Sequence, residues 1–160
     1  MRGLLSKKSA AELGRSFVEE GKKLTFTNGC FDVLHIGHIR YLNEAASLGD
    51  ALLVGLNSDE SVRRLKGPER PVNSQEERAE MLLALRSVDY VVIFDEETPL
   101  ELIRAVQPFY LVKGGDWLPE SIVGAGDVLA RGGEVRSLPF VAGKSTTALI
   151  EKIRDTEEKR

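Results

Sequence analysis

Cysteine is nearly absent from this chain. Among 160 residues there is one, Cys30, so no disulfide can close within the chain, and a reducing compartment fits. Long apolar runs are also missing: none approaches the roughly 18 residues that a membrane span requires. The basic start, MRGLLSKK, leads into no apolar stretch, so no signal peptide is read there and a cytoplasmic location is expected, with no membrane partner. Positive charge is not in excess. The 22 Lys and Arg against 25 Asp and Glu leave a formal net charge of −3, which gives no bulk reason to expect nucleic acid. There is no internal repeat and no low-complexity segment.

What remains is an ordinary globular composition. An apolar fraction of 42% against 29% charged residues is enough to bury a core. The length fits a single domain, residues 1–160. Residues 1–22 are expected as an N-terminal helical extension, with Ser9 capping a helix over 9–20 and Leu13, Phe17 and Val18 on one face. Residues 155–160, all charged but for one Thr, are expected as a frayed tail.

Between these ends, strand and helix patterns alternate. Residues 23–28 and 51–57 read as strands buried on both faces, joined by a helix over 37–48 that Gly49 closes. A short helix capped by Ser58 and Asp59 follows. Residues 66–72, with Gly67, Pro68 and Pro71, read as a loop. Ser74 and Glu77 form a capping box for a helix with Met81, Leu82 and Leu85 on its apolar face. Strands at 90–94, 110–113 and 134–138 are separated by helices from Pro99 to 106 and over about 119–130, and a last helix covers 145–154. The alternation predicts a Rossmann-like three-layer α/β/α sandwich with a five-stranded, mostly parallel sheet. In such folds ligands sit at the carboxyl ends of the strands, where strand order reverses.

Polar groups gather at those ends. After the first strand come His35 and His38 around Gly37, at the start of a helix. A helix mouth carries unpaired N–H groups and partial positive charge, so it attracts phosphates, and two imidazoles add donors. Gly37 removes a side chain where a phosphate would approach. Other readings stay open at this point: the histidines as plain caps, or as metal ligands with Asp32. Lys66, with Arg63, Arg64 and Arg70, is either a solvated basic face or a cation on a loop that closes over phosphate. Ser145, Thr146 and Thr147 after Gly143-Lys144 form a helix cap that would also suit an anion. Neither a Walker A loop nor a G-x-G-x-x-G is present. Cys30 is either a small turn residue or a reactive thiol.

These residues amount to a resemblance. T-N-G-C-F-D-V-L-H-I-G-H (27–38) resembles the signature of the HIGH-motif, cytidylyltransferase-like nucleotidyltransferases, and G-K-S-T-T (143–147) falls where they carry a second nucleotide-binding motif. L-N-S-D (56–59), R-L-K-G-P-E-R-P-V-N (64–73), L-V-K-G-G-D (111–116) and G-G-E-V (132–135) are similar to the adenylyltransferase domain of ADP-heptose synthesis, in stand-alone form. The resemblance implies transfer of AMP from ATP to D-glycero-β-D-manno-heptose 1-phosphate, for lipopolysaccharide core or another heptose-containing glycan. His35, His38 and Lys66 would be catalytic. Thr27, Asn28, Gly29, Phe31, Gly37, Gly115, Asp116, Ser145, Thr146 and Thr147 would join the histidines in binding nucleotide. Asp32, Asn57, Asp59, Arg70, Lys113 and Trp117, with Lys66, would bind the substrate. Mg²⁺ is expected on the ATP, with no dedicated protein metal site. The expected partners are these small molecules and further copies of the chain, in a homo-oligomer such as a dimer. The alternatives are a glycerol-3-phosphate cytidylyltransferase and a non-catalytic nucleotide-binding protein of the same fold.

Overall fold

In the computed structural model, which describes residues 2–159, six strands form one sheet in the order β1-β4-β3-β2-β5-β6, and every neighbouring pair is parallel. The strands are β1 (Gly3–Leu5), β2 (Leu24–Gly29), β3 (Ala51–Asn57), β4 (Tyr90–Phe94), β5 (Tyr110–Gly114) and β6 (Glu134–Leu138). The helices are α1 (Lys7–Glu19), α2 (Ile36–Ala46), α3 (Asp59–Lys66), α4 (Gln75–Ala84), α5 (Leu100–Val106), α6 (Ala125–Ala130) and α7 (Thr146–Glu158).

The sheet divides the core in two. Strand β3 is buried along its whole length, and its alternate side chains serve opposite faces. Leu53 joins Phe26, Val92, Ile103, Leu111 and Val128 on the side of α1, α5 and α6. Leu52, Val54 and Leu56 join Leu42, Leu82, Val91 and Val112 on the side of α2 and α4. Each such side chain contributes roughly 1.5–3 kcal/mol by leaving water, and together they fix the register from Leu24↔Ala51 to Gly29↔Leu56.

Four expectations need correction. The sheet has a sixth strand, because Gly3, Leu4 and Leu5 pair with Tyr90, Val91 and Val92 at the edge; three residues are too few for an alternation to register in sequence. The N-terminal stretch is therefore not helix alone, and Ser6 rather than Ser9 caps α1, its side chain accepting the N–H of Ser9. The single helix expected over 119–130 is broken: a 3₁₀ turn at Pro119–Ser121 is followed by Gly124 in a left-handed conformation, φ 85°, before α6 begins. Helix α7 runs on through Glu158, so 155–158 continue the helix rather than fray.

Chain order runs from β2 through β3 to β4, then crosses back to β5 on the other side of β2. The order reverses between β2 and β5. The crevice outside their carboxyl ends is where ligands bind in open parallel sheets.

Candidate active site

Strand β2 releases the chain at Gly29 into a loop that leads to His35, the N-cap of α2. The two imidazoles cap the helix reciprocally. Nδ1 of His35 accepts the N–H of Gly37 at 3.1 Å, and Nδ1 of His38 accepts the N–H of His35 at 3.3 Å. The rings stack with centroids 3.9 Å apart, and the edge of Phe31 meets His38 at 5.2 Å. A ring nitrogen that accepts a hydrogen bond carries no proton, so each neutral ring holds its proton on Nε2. Burial, aided by the charge His35 would carry, pushes His38 down to about 4. Burial and then the Lys144 ammonium lower His35 as well. Near neutral pH the site therefore holds two uncharged imidazoles, each with one N–H free to donate.

Gly37 is required here for a reason the sequence did not suggest. A side chain at 37 would come within 2.8 Å of Cε1 and 2.9 Å of Nδ1 of His35, and within 3.5 Å of Cβ of Lys144. The empty space is filled first by the His35 ring.

Other predicted residues turn out to be occupied. Thr27 is fully buried and its hydroxyl meets that of Tyr41, which donates onward to the Val112 carbonyl at 3.3 Å; it locks α2 to β2 and does not face the crevice. Asp32 is excluded from solvent. Its carboxylate accepts Nε of Arg70 at 2.6 Å, the N–H of Val72 at 2.8 Å and the N–H of Asn73 at 3.0 Å. It clasps residues 70–73, and with its side chain wholly out of solvent it is closed off from a substrate or a metal. Burial pushes its pKa up, but these hydrogen bonds outweigh that and hold it below the ordinary carboxylate value. Asn57 is buried and donates to Ser61 Oγ. Asp59 is paired with Arg78 at 2.8 Å.

Arg78 itself was missed. It is wholly buried, and its guanidinium donates to the carbonyls of Cys30, Asn57 and Asn73 and to Asp59. The available signal was its register: Arg78 stands four residues before Leu82, on the buried face of α4. Met81, expected on that face, is 37% exposed.

The residues that stay open surround the crevice. Asn28 and Gly29 are half-buried at the end of β2. Lys66 ends α3, exposed and without a partner among the described residues; it belongs to a helix, not to the Gly/Pro loop. Lys113 is half-buried in β5 and unpaired among the described residues, its ammonium 5.8 Å from the centre of the Trp117 ring; burial lowers its pKa. Trp117 is fixed by Nε1 donating to the Gly114 carbonyl and by its own N–H donating to Ser137 Oγ, both at 3.1 Å. Gly115 is buried, while Asp116 beside it is exposed. Burial raises the Cys30 thiol, which disfavours the thiolate a reactive cysteine needs.

The far wall is α7. Ser145 Oγ caps it by accepting the N–H of Ala148 at 3.0 Å, Thr146 donates its hydroxyl to the Val33 carbonyl at 3.1 Å, and Thr147 is exposed. This brings the S-T-T segment and Lys144 beside the histidine mouth. Two helix N-termini and their N–H groups thus share one anion-attracting corner. No group of three His, Cys, Asp or Glu among the described residues is arranged to hold a metal.

Residues 26–149 match the cytidylyltransferase-like family. The chain is 62% identical to the bifunctional protein HldE of Geotalea uraniireducens over 134 residues, which are 84% of this chain and 27% of that protein. It is 54% identical to the bifunctional protein HldE of Trichlorobacter lovleyi over 159 residues, 98% of this chain and 31% of that one. The chain thus spans about three tenths of the length of these relatives. Among solved structures, a lipopolysaccharide core biosynthesis protein from Thermoplasma volcanium superposes with a TM-score of 0.60 at 27% identity, covering 76% of this chain and 98% of that one. No helix among the described residues is long and apolar enough to cross a membrane.

Proposed function

Because the chain belongs to the cytidylyltransferase-like family of nucleotidyltransferases, we propose that it transfers AMP from ATP to D-glycero-β-D-manno-heptose 1-phosphate, releasing pyrophosphate. The observation that carries the reading is the pair of neutral imidazoles at the mouth of α2, joined there by the S-T-T segment of α7. The choice of ATP and of a heptose phosphate rests on the motifs at 64–73 and 111–116, and on the identity with HldE over most of this chain.

A phosphate oxygen of the sugar attacks the α-phosphorus of ATP. The new P–O bond forms as the bond to the β-phosphate bridge breaks, and the electron pair leaves on pyrophosphate. The nucleophile is already an anion, since a phosphomonoester loses its second proton near pH 6. No general base is needed, and Asp32, the acid nearest the histidines in sequence, is committed to Arg70 and the backbone. The protein aligns the reactants and stabilises charge as it builds up. The Nε2–H groups of His35 and His38 would donate to phosphate oxygens that gain charge in the transition state. Backbone N–H groups of α7 with Thr147 would hold the β- and γ-phosphates, assisted by Lys144. Asn28, Gly29 and Phe31 would line the nucleotide, with Gly115 and Asp116 on the β5 side. Lys66, Arg70, Lys113 and Trp117 would receive the sugar phosphate.

Mg²⁺ would arrive on the triphosphate and neutralise part of its charge. No group of three His, Cys, Asp or Glu among the described residues would hold it, so the phosphates themselves would be its main ligands. Catalysis inside the cytoplasm by a homodimer completes the reading.

The test is pyrophosphate release from ATP or CTP, each offered with heptose 1-phosphate or glycerol 3-phosphate. Release with ATP and the heptose phosphate is expected. Release only with CTP would overturn the reading in favour of a glycerol-3-phosphate cytidylyltransferase, and nucleotide binding without release from any pair would favour a non-catalytic binding protein.

A further inference from the structure

Arg78 is a permanent cation with no solvent exposure, and it touches four different segments at one end of the sheet. Nη1 donates to the Cys30 carbonyl beyond β2 at 2.7 Å and to the Asn57 carbonyl ending β3 at 2.8 Å. Nη2 donates to Asp59 at the start of α3 at 2.8 Å, and Nε donates to the Asn73 carbonyl at 3.1 Å. Asn73 closes the ring. Its N–H goes to the Asp32 carboxylate at 3.0 Å and its side-chain amide to the Asp32 carbonyl at 2.8 Å.

Burying a guanidinium is costly, and an apolar contact would hold a core at least as well. What an apolar contact cannot do is fix several carbonyls at set positions, which the planar fork of arginine does. Here the fork fixes the segment that follows α3 against the loop that leads into the histidines.

We propose that Arg78 is a positioning residue for nucleotidyl transfer: with Asp32 and Asn73 it clasps residues 70–73 to the end of β2, setting Lys66 and Arg70 for the acceptor phosphate. This rests on the nucleotidyl-transfer reading of the site. The clasp acts mainly on the acceptor side: it meets the nucleotide loop only at Cys30 and Asp32, and the histidines beyond them are held independently. His35 and His38 are set by the cap of α2 itself, and α2 is tied to β2 through Tyr41 and Thr27. Arg70 is held by its Nε bond to Asp32, and Lys66 sits at the end of the helix whose first residue Arg78 holds.

The experiment compares the full chain with its Arg78→Lys variant. Lysine keeps the charge but cannot reach four acceptors. The expected result is a KM for the acceptor raised about tenfold or more, with kcat and the KM for ATP within about twofold of the parent. Cys30, whose carbonyl is released, should react faster with a thiol reagent, and residues 66–73 should exchange amide hydrogens faster. A lowered melting temperature with both KM values unchanged overturns the proposal, as does an equal rise in both. Should Arg78→Lys not fold, Asn73→Ala removes one strand of the clasp; an acceptor KM up about threefold supports the proposal and an unchanged one overturns it. Should the parent turn over no sugar phosphate, the proposed acceptor is wrong, and the clasp is judged by Cys30 reactivity and hydrogen exchange, where rates equal to the parent's overturn it.

Discussion

The imidazoles of His35 and His38 lie stacked with centroids 3.9 Å apart, and each lends Nδ1 to a backbone N–H of the helix that carries them. A cap is thereby also a tautomer lock, because the proton is forced to Nε2, where it can be donated. Replacing His38 by Ala removes one donor and one cap together. Loss of a transition-state donor costs about 10²–10³ in kcat, whereas loss of the cap costs only about 1 kcal/mol of stability. Steady-state kinetics beside a thermal melt separate the two, and turnover equal to the parent's would refute the catalytic assignment.

The pH dependence has a definite sign. His38 titrates at about 4 in the folded chain against an ordinary 6.5. Between these values the unfolded chain binds the proton and the folded chain does not, so stability falls as pH drops from 6.5 to 4 and the loss is complete below that. Its size is up to about 3 kcal/mol, reduced to the extent that water reaches the ring. Asp32, held below its ordinary 3.8, adds a further loss below that pH. Urea denaturation from pH 7 to pH 4 should show the slope, and His38→Gln should flatten it. Turnover should show no histidine titration between pH 6.5 and 8, its acid limb coming instead from the sugar phosphate near pH 6.

Thr27 gives a test of structure against motif. The motif places it with the nucleotide, while the structure buries it against Tyr41. Thr27→Val keeps the shape and removes a hydrogen bond, so stability should fall by about 1–2 kcal/mol. The KM for ATP should stay within twofold of the parent; a tenfold rise would restore Thr27 to the binding site.

Helix α7 buries no residue fully, Leu149 and Ile150 being half-buried, and among the described residues its side-chain hydrogen bonds to other segments are Thr146 to Val33 and the exposed Arg154–Glu69 pair. Thr146→Val should therefore raise the KM for ATP several-fold with little change in melting temperature. An exposed ion pair contributes under about 1 kcal/mol, so Arg154→Ala should do less. An unchanged KM in Thr146→Val would show that α7 needs no anchor there.

Lys144→Ala should raise the pKa of His35, because the Lys144 ammonium is one of the two influences that lower it. A ¹H–¹⁵N titration of the imidazoles would read the shift directly. No movement would mean that Lys144 points away from the ring in solution.

The βαβ order of the chain was legible because buried parallel strands are runs such as ALLVGLN, and α3 and α4 between them start at the Ser caps Ser58 and Ser74. The histidine mouth was legible for the same local reason, since a strand end, a turn and a helix start lie within a dozen residues. Strand β1 was not, because three residues show no period, nor was the break at Gly124 inside an otherwise helical pattern.

The sequence by itself determined which residues are able to bind phosphate. Imidazole, ammonium, hydroxyl and helix-terminal N–H are chemical identities, and their neighbours along the chain follow from local geometry. Only the tertiary structure decided which of them are free. Asp32 and Asp59 were equally available on paper, yet one is spent on Arg70 and the other on Arg78, from segments 38 and 19 residues away. A buried charge must find its partners wherever the fold brings them. That requirement is not encoded in spacing, and it is why Arg78, absent from any motif reading, stands at the centre of the floor on which the site is built.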